Sequence, residues 1–249
     1  MKLIFSDEFD YEGKPDPTKW VHETGGNWHN NEIQYYTDDV KNAFVGDGKL
    51  TIVALNEQKG TRKHTSARLT TQTKFSFQYG KVEMSAKLPS GKGSWPAFWM
   101  LPDAKGWQGA TNGVPWPLCG EIDIMEYAAG VDSQAMHVSL HSLLYNHTIN
   151  TQETHVERLV GLSDDFHKYT CEWSQDEISF SFDDRKIATF YKNKRTNGQV
   201  KTLGEEAWPF EQKYHLLLNL AVGGFFGGEV EDRDLPYVYE IEYVRVWAN

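Results

Sequence analysis

The chain is poor in cysteine, with two thiols, Cys119 and Cys171, in 249 residues. Two thiols make neither a disulfide framework nor a cysteine-built metal cluster, so a packed core must hold the fold and the redox compartment stays open. Excess positive charge is also missing. Lys and Arg number 25 against 35 Asp and Glu, for a formal net charge of −10. That balance argues against nucleic acid or an anionic membrane as partner, and more weakly against a heavily sulfated substrate. No apolar run approaches the roughly 18 residues of a membrane span. Met1-Lys2-Leu3-Ile4 runs straight into a strand-like segment with no signal-peptide pattern. If the natural protein is secreted, periplasmic or on the cell surface, this is its mature form behind an added Met. Helical periodicity is scarce, with room for a helical turn only at 204–210 or 163–166.

Aromatics, by contrast, are abundant: 14% of the chain, with nine Trp. The rest reads as short strands. Ala43-Phe44-Val45, the turn Gly46-Asp47-Gly48 and the run 50–55 form a hairpin. Residues 79–88 alternate, with Val82, Met84, Ala86 and Leu88 on one face. Strands at about ten-residue spacing, with no repeat or linker, define one all-β domain over 1–249, a β-sandwich or jelly roll.

The chemistry concentrates in Gly-Glu-Ile-Asp-Ile-Met-Glu-Tyr, 120–127. In a strand Glu121 and Asp123 share one face, while Ile122 and Ile124 take the other. Strict alternation would then bury Glu126 in the core, where an unpaired carboxylate costs several kcal/mol, roughly, or loses its charge. A one-residue bulge at Ile124-Met125 returns Glu126 to the face of the other two acids. Three acids so close cannot all ionise, and one protonated beside one ionised carboxylate is the pair that glycoside hydrolysis uses. A solvated acidic strand and a divalent-cation site are the competing readings.

Trp95, Trp99 and Trp116 precede or flank this strand, on segments a sandwich can bring to one concave face; a long loop carries Trp107 and Trp116 up to it. Indole planes suit the apolar faces of pyranoses. His137 and His141 alternate on the following strand, where His141 can reach a carboxylate or a sugar hydroxyl. The spacing offers no third nitrogen or sulfur ligand for zinc.

With these pieces placed, the chain resembles glycoside hydrolase family 16, in its bacterial laminarinase-like endo-β-1,3-glucanase branch. The marks run nearly end to end: Ser6-Asp7-Glu8-Phe9, Asn31-Glu32-Ile33-Gln34-Tyr35-Tyr36, Thr65-Ser66-Ala67-Arg68, Trp95-Pro96-Ala97-Phe98-Trp99-Met100-Leu101, 120–126, 218–224 and Tyr243-Val244-Arg245-Val246-Trp247. The resemblance implies a jelly roll of two curved antiparallel sheets with an open concave cleft. It implies retaining cleavage inside a β-1,3-glucan, or a mixed β-1,3-1,4-glucan, with polysaccharide or oligosaccharide as partner and the protein a monomer. Glu121 would be nucleophile, Glu126 acid and then base, and Asp123 the residue that sets their protonation. Asn31, Glu32, Arg68, Trp95, Trp99, Trp116 and His141 would bind substrate, with Trp95 and Trp99 as platforms. No cofactor serves catalysis. A structural calcium is expected on the convex face, at backbone oxygens near Glu8 and Gly48 and at Glu242, which stands where the family usually has Asp. Phe225-Phe226-Gly227-Gly228 departs from the family's usual Asn-Trp-Pro-Gly. The same chemistry on an agarose-type galactan, or a non-catalytic glucan-binding module, is the alternative.

Overall fold

In the computed structural model, residues 1–103, 110–111, 114–196 and 199–249 are described. Trp107 lies outside the described residues. Two large sheets face each other across one core. The inner sheet has seven strands in the order Glu153–Arg158, Ala135–His141, Glu121–Tyr127, Ser94–Pro102, Tyr214–Val222, Arg68–Thr70 and Val21–His22. The outer sheet has ten strands, and its centre is Gly80–Lys87 beside the long Tyr237–Ala248. Pairing in the two sheets is antiparallel except where Gln34–Tyr36 runs parallel to Arg62–Ser66.

Period-two alternation builds the layers. In Ser94–Pro102, Phe98 and Met100 point into the core while Trp95, Ala97, Trp99 and Leu101 line a cleft on the other face. In Tyr214–Val222, Leu216, Leu218 and Leu220 go inward and His215, Leu217 and Asn219 outward. Val82, Met84, Ala86 and Leu88 of the outer sheet are buried against them, as their spacing requires. Helix is confined, among the described residues, to Gly224–Gly227 and two 3-10 turns, while 204–210 and 163–166 hold turns without helix. Among the described residues no helix is long and apolar enough to cross a membrane. Cys119 and Cys171 are both buried, and no disulfide joins them.

Candidate active site

The chain enters the acidic strand through Gly120, at φ +87°. A Cβ there would lie 2.5 Å from Tyr214 Oη and 2.7 Å from Pro209 Cγ, so only glycine makes this close turn. Against Ser94–Pro102, Asp123 pairs with Trp99 and Met125 with Phe98: two steps on one strand meet one on the other. Against Ala135–His141 the register jumps from Asp123↔Ser139 to Glu126↔His137. This is a one-residue bulge at Ile124-Met125, where the cost of burying Glu126 demands it. Ile124 and Met125 both enter the core, and Glu126 joins Glu121 and Asp123 in the cleft.

The cleft has a volume of about 770 Å³. Inside it each outer acid is held by an indole: Trp116 Nε1 donates to Glu121 Oε2 and Trp95 Nε1 to Glu126 Oε1, both at 3.1 Å. His141, opposite Glu121 in register, brings Nε2 to 3.1 Å from Asp123 Oδ2 and 3.8 Å from Glu121 Oε1. The first is a close contact without an aligned hydrogen bond, since Asp123 Oδ2 has no hydrogen-bond donor. His147 packs at a tilt against Trp116 and meets His141 edge-on, with centroids 5.1 and 5.4 Å away.

Burial raises all three carboxyls above the ordinary carboxylate range. The charge of Asp123 pushes Glu121 further, and that of Glu126 pushes Asp123 further, while His141 opposes the rise at Glu121 and Glu126. The trio therefore carries fewer than three negative charges near neutral pH. Because the charge of Asp123 bears directly on Glu121, the two carboxyls do not ionise independently and the pair gives up its protons in steps.

A second network braces the neighbouring wall. Glu32 Oε2 accepts from Gln34 Nε2 at 2.7 Å and from Tyr36 Oη at 3.0 Å. Asn219 Nδ2 donates to Tyr36 Oη at 3.1 Å and its Oδ1 accepts from Trp99 Nε1 at 2.7 Å. The Arg68 guanidinium lies between Trp28 and Trp99, 4.8 and 4.7 Å from their centroids, and pairs with Glu23.

Glu32, Arg68, Trp95, Trp99 and Trp116 thus line the cleft with the three acids, and His141 stands behind them. Asn31 does not join them. The turn at Asn30-Asn31, with φ of 58° and 56°, gives Asn30 to the cleft and leaves Asn31 in solvent. Trp95 is only 8% exposed, with its ring against Phe226 at 5.3 Å, so it presents a donor to Glu126 rather than an open platform. Sequence reasoning missed His147, His215 and Asn219. A His and an Asn on the outward positions of an otherwise apolar strand were the available signal for the last two. Burial lowers His215 to about 3, so it faces the cleft neutral.

Among the described residues, Glu121, Asp123 and His141 also hold ligand-type atoms within 4.8 Å of one another. The calcium residues stand elsewhere. Register brings the ends of the first strand and of Lys49–Lys59 to Tyr237–Ala248, through Asp7↔Val244 and Leu50↔Ile241. There Arg245 takes both oxygens of Glu8, at 2.9 and 2.7 Å, and Ser85 Oγ donates to Glu242 Oε2 at 2.6 Å. These contacts engage the Glu8 side chain and one Glu242 oxygen, whereas the calcium expectation at Glu8 and Gly48 concerns backbone oxygens.

Three acids on one bulged strand, Asp123 buried and Glu121 and Glu126 half-buried and held by indole donors in a concave β-sandwich cleft, have the makings of a carboxylate-pair glycosidase. The chain belongs to glycosyl hydrolases family 16, whose sequence model matches residues 42–224. It is 43% identical to the beta-glucanase of Rhodothermus marinus over 250 residues, covering 99% of this chain and 85% of that protein. Its fold matches the X-ray structure of the laminarinase from Rhodothermus marinus with a TM-score of 0.90 at 42% identity, over 100% of this chain and 98% of that one. A Zobellia galactanivorans protein in complex with laminaritriose and laminaritetraose matches with a TM-score of 0.83 at 36% identity, over 99% and 98% of the two chains.

Proposed function

We propose that this chain is a retaining endo-β-glucanase that cuts internal β-1,3 bonds of laminarin-type glucan and also accepts mixed β-1,3-1,4-glucan. The observation that carries the reading is the bulge, which sets Glu126 on the face of Glu121 and Asp123. Relatives named beta-glucanase and laminarinase support the substrate class.

In the first step Glu121 attacks the anomeric carbon while Glu126, kept protonated by burial, gives its proton to the glycosidic oxygen. The leaving chain departs with that proton, and a glycosyl ester on Glu121 remains. Glu126, now a carboxylate, takes a proton from water as the water attacks, and the ester breaks with the original anomeric configuration restored. Asp123, whose charge bears on Glu121, tunes the protonation of the pair, and the Trp116 and Trp95 N–H groups fix the two reacting carboxylates.

A reducing-end assay on laminarin, barley mixed-linkage glucan, lichenan, agarose and carrageenan tests this. Release from laminarin, with smaller release from mixed-linkage glucans and β-anomer product by NMR, is expected. Release from a galactan alone would overturn the substrate; binding without release would overturn the enzyme.

A further inference from the structure

We infer that Phe225 is a stacking platform that gives the cleft one more binding position, for a further neutral hexopyranose unit of the glucan beyond Trp95. The inference rests on the glucanase reading above.

Of the two consecutive phenylalanines, one is explained by packing and the other is not. Phe226 lies against Trp95 at 5.3 Å and edge-on to His137 at 4.9 Å. Phe225 lines the same cleft as the three acids, yet is 75% exposed and stacks on no ring among the described residues. A lone exposed aromatic is unremarkable on a loose loop. This one is fastened. Phe225 N donates to Asn30 O at 2.8 Å, Gly223 N to Gly93 O at 2.8 Å and Gly227 N to Gly223 O at 3.1 Å. Gly224 has φ +75°, and a Cβ there would lie 2.7 Å from Asn30 O, so the turn is pressed onto the Asn30 loop as only glycine permits.

A fixed aromatic needs little ordering when a sugar lands on it, and its two χ angles are all that binding freezes. Its ligand face is apolar, while Asn30 beside it offers an amide to a ring hydroxyl. That combination suits an uncharged pyranose and not a sulfated one. Trp95, with its ring covered, cannot supply this surface, so on the Glu126 side of the cleft stacking passes to Phe225.

The test measures kcat/KM for wild type, Phe225→Ala and Phe225→Trp on β-1,3-gluco-oligosaccharides from three to seven units, with thermal unfolding alongside. The wild type should show a step in kcat/KM at the length that reaches Phe225. Phe225→Ala should lower rates beyond that length about tenfold, which is about 1.4 kcal/mol, and leave shorter chains and Tm unchanged. Phe225→Trp should keep the step. An equal effect at every length, or none at any, overturns the inference. If the wild type cleaves none of these oligosaccharides, the substrate reading has failed, and the same length series is run on the polymer that the reducing-end assay identifies.

Discussion

Acids cluster on both sheets of this protein, and the two clusters behave in opposite ways. On the outer sheet Glu83 accepts from Tyr243 Oη at 3.0 Å and pairs with Lys81 at 2.8 Å, and Glu8 takes a two-pronged pair from Arg245. Burial works against the charge of Glu83, but Lys81 and Tyr243 outweigh it and hold the carboxyl below its ordinary range. The Arg245 hydrogen bonds likewise lower Glu8. On the inner sheet Glu121 and Glu126 receive indole donors and, among the described residues, no Lys or Arg ion pair; Arg68 pulls Glu121 down only weakly, and burial pushes all three acids up. Acids given cations stay charged and serve the fold; acids denied them keep a proton and become available for chemistry.

The largest effects should fall on the inner cluster. Glu121→Ser and Glu126→Gln should each reduce glucan hydrolysis by about 10²- to 10⁴-fold while binding of glucan, read by calorimetry, survives. Hydrolysis near wild type in either variant would erase the contrast between the clusters. The pH profile sharpens it. Glu126 must be protonated to act, so kcat/KM should fall as pH rises through its raised pKa, on a limb displaced above the ordinary Glu range. Glu126→Gln should lose that limb.

Stability should respond with opposite sign on the two sheets. A carboxyl raised on folding binds its proton more tightly in the native state, so the inner trio costs stability as pH climbs from the unfolded value through the raised one. Asp123→Asn should therefore raise stability at pH 7 by about 1 kcal/mol while activity drops. A carboxyl lowered on folding stabilises above its unfolded pKa, and that contribution is lost as pH falls through the lowered value. Glu83→Gln should cost about 1 kcal/mol at pH 7 by urea unfolding and leave hydrolysis unchanged.

Much of the inner cluster was legible in the chain. Ile122 and Ile124 set the core face, which made Glu126 anomalous and required the bulge. The cleft side of Ser94–Pro102 followed from alternation too. Asn31 was misplaced because a tight turn, not alternation, decides which of two neighbouring Asn side chains meets the cleft. Trp95 looked like a platform because nothing within its own segment reveals that Phe226, 131 positions on, covers its ring. Nor does either segment by itself reveal that Arg245 and Ser85 engage the Glu8 and Glu242 side chains across strand pairs.

What the sequence determined alone are the features set by neighbours one to five residues apart: strand alternation, the bulge and the three acids it gathers. Those obey steric period and the cost of burying charge, both local quantities. Only the tertiary structure decided which acids meet a cation and which an indole, that His141 and His147 close behind Glu121, and that Phe225 stands open in the cleft. Such pairings depend on the register between distant strands, and a carboxyl's proton follows its surroundings rather than its residue type.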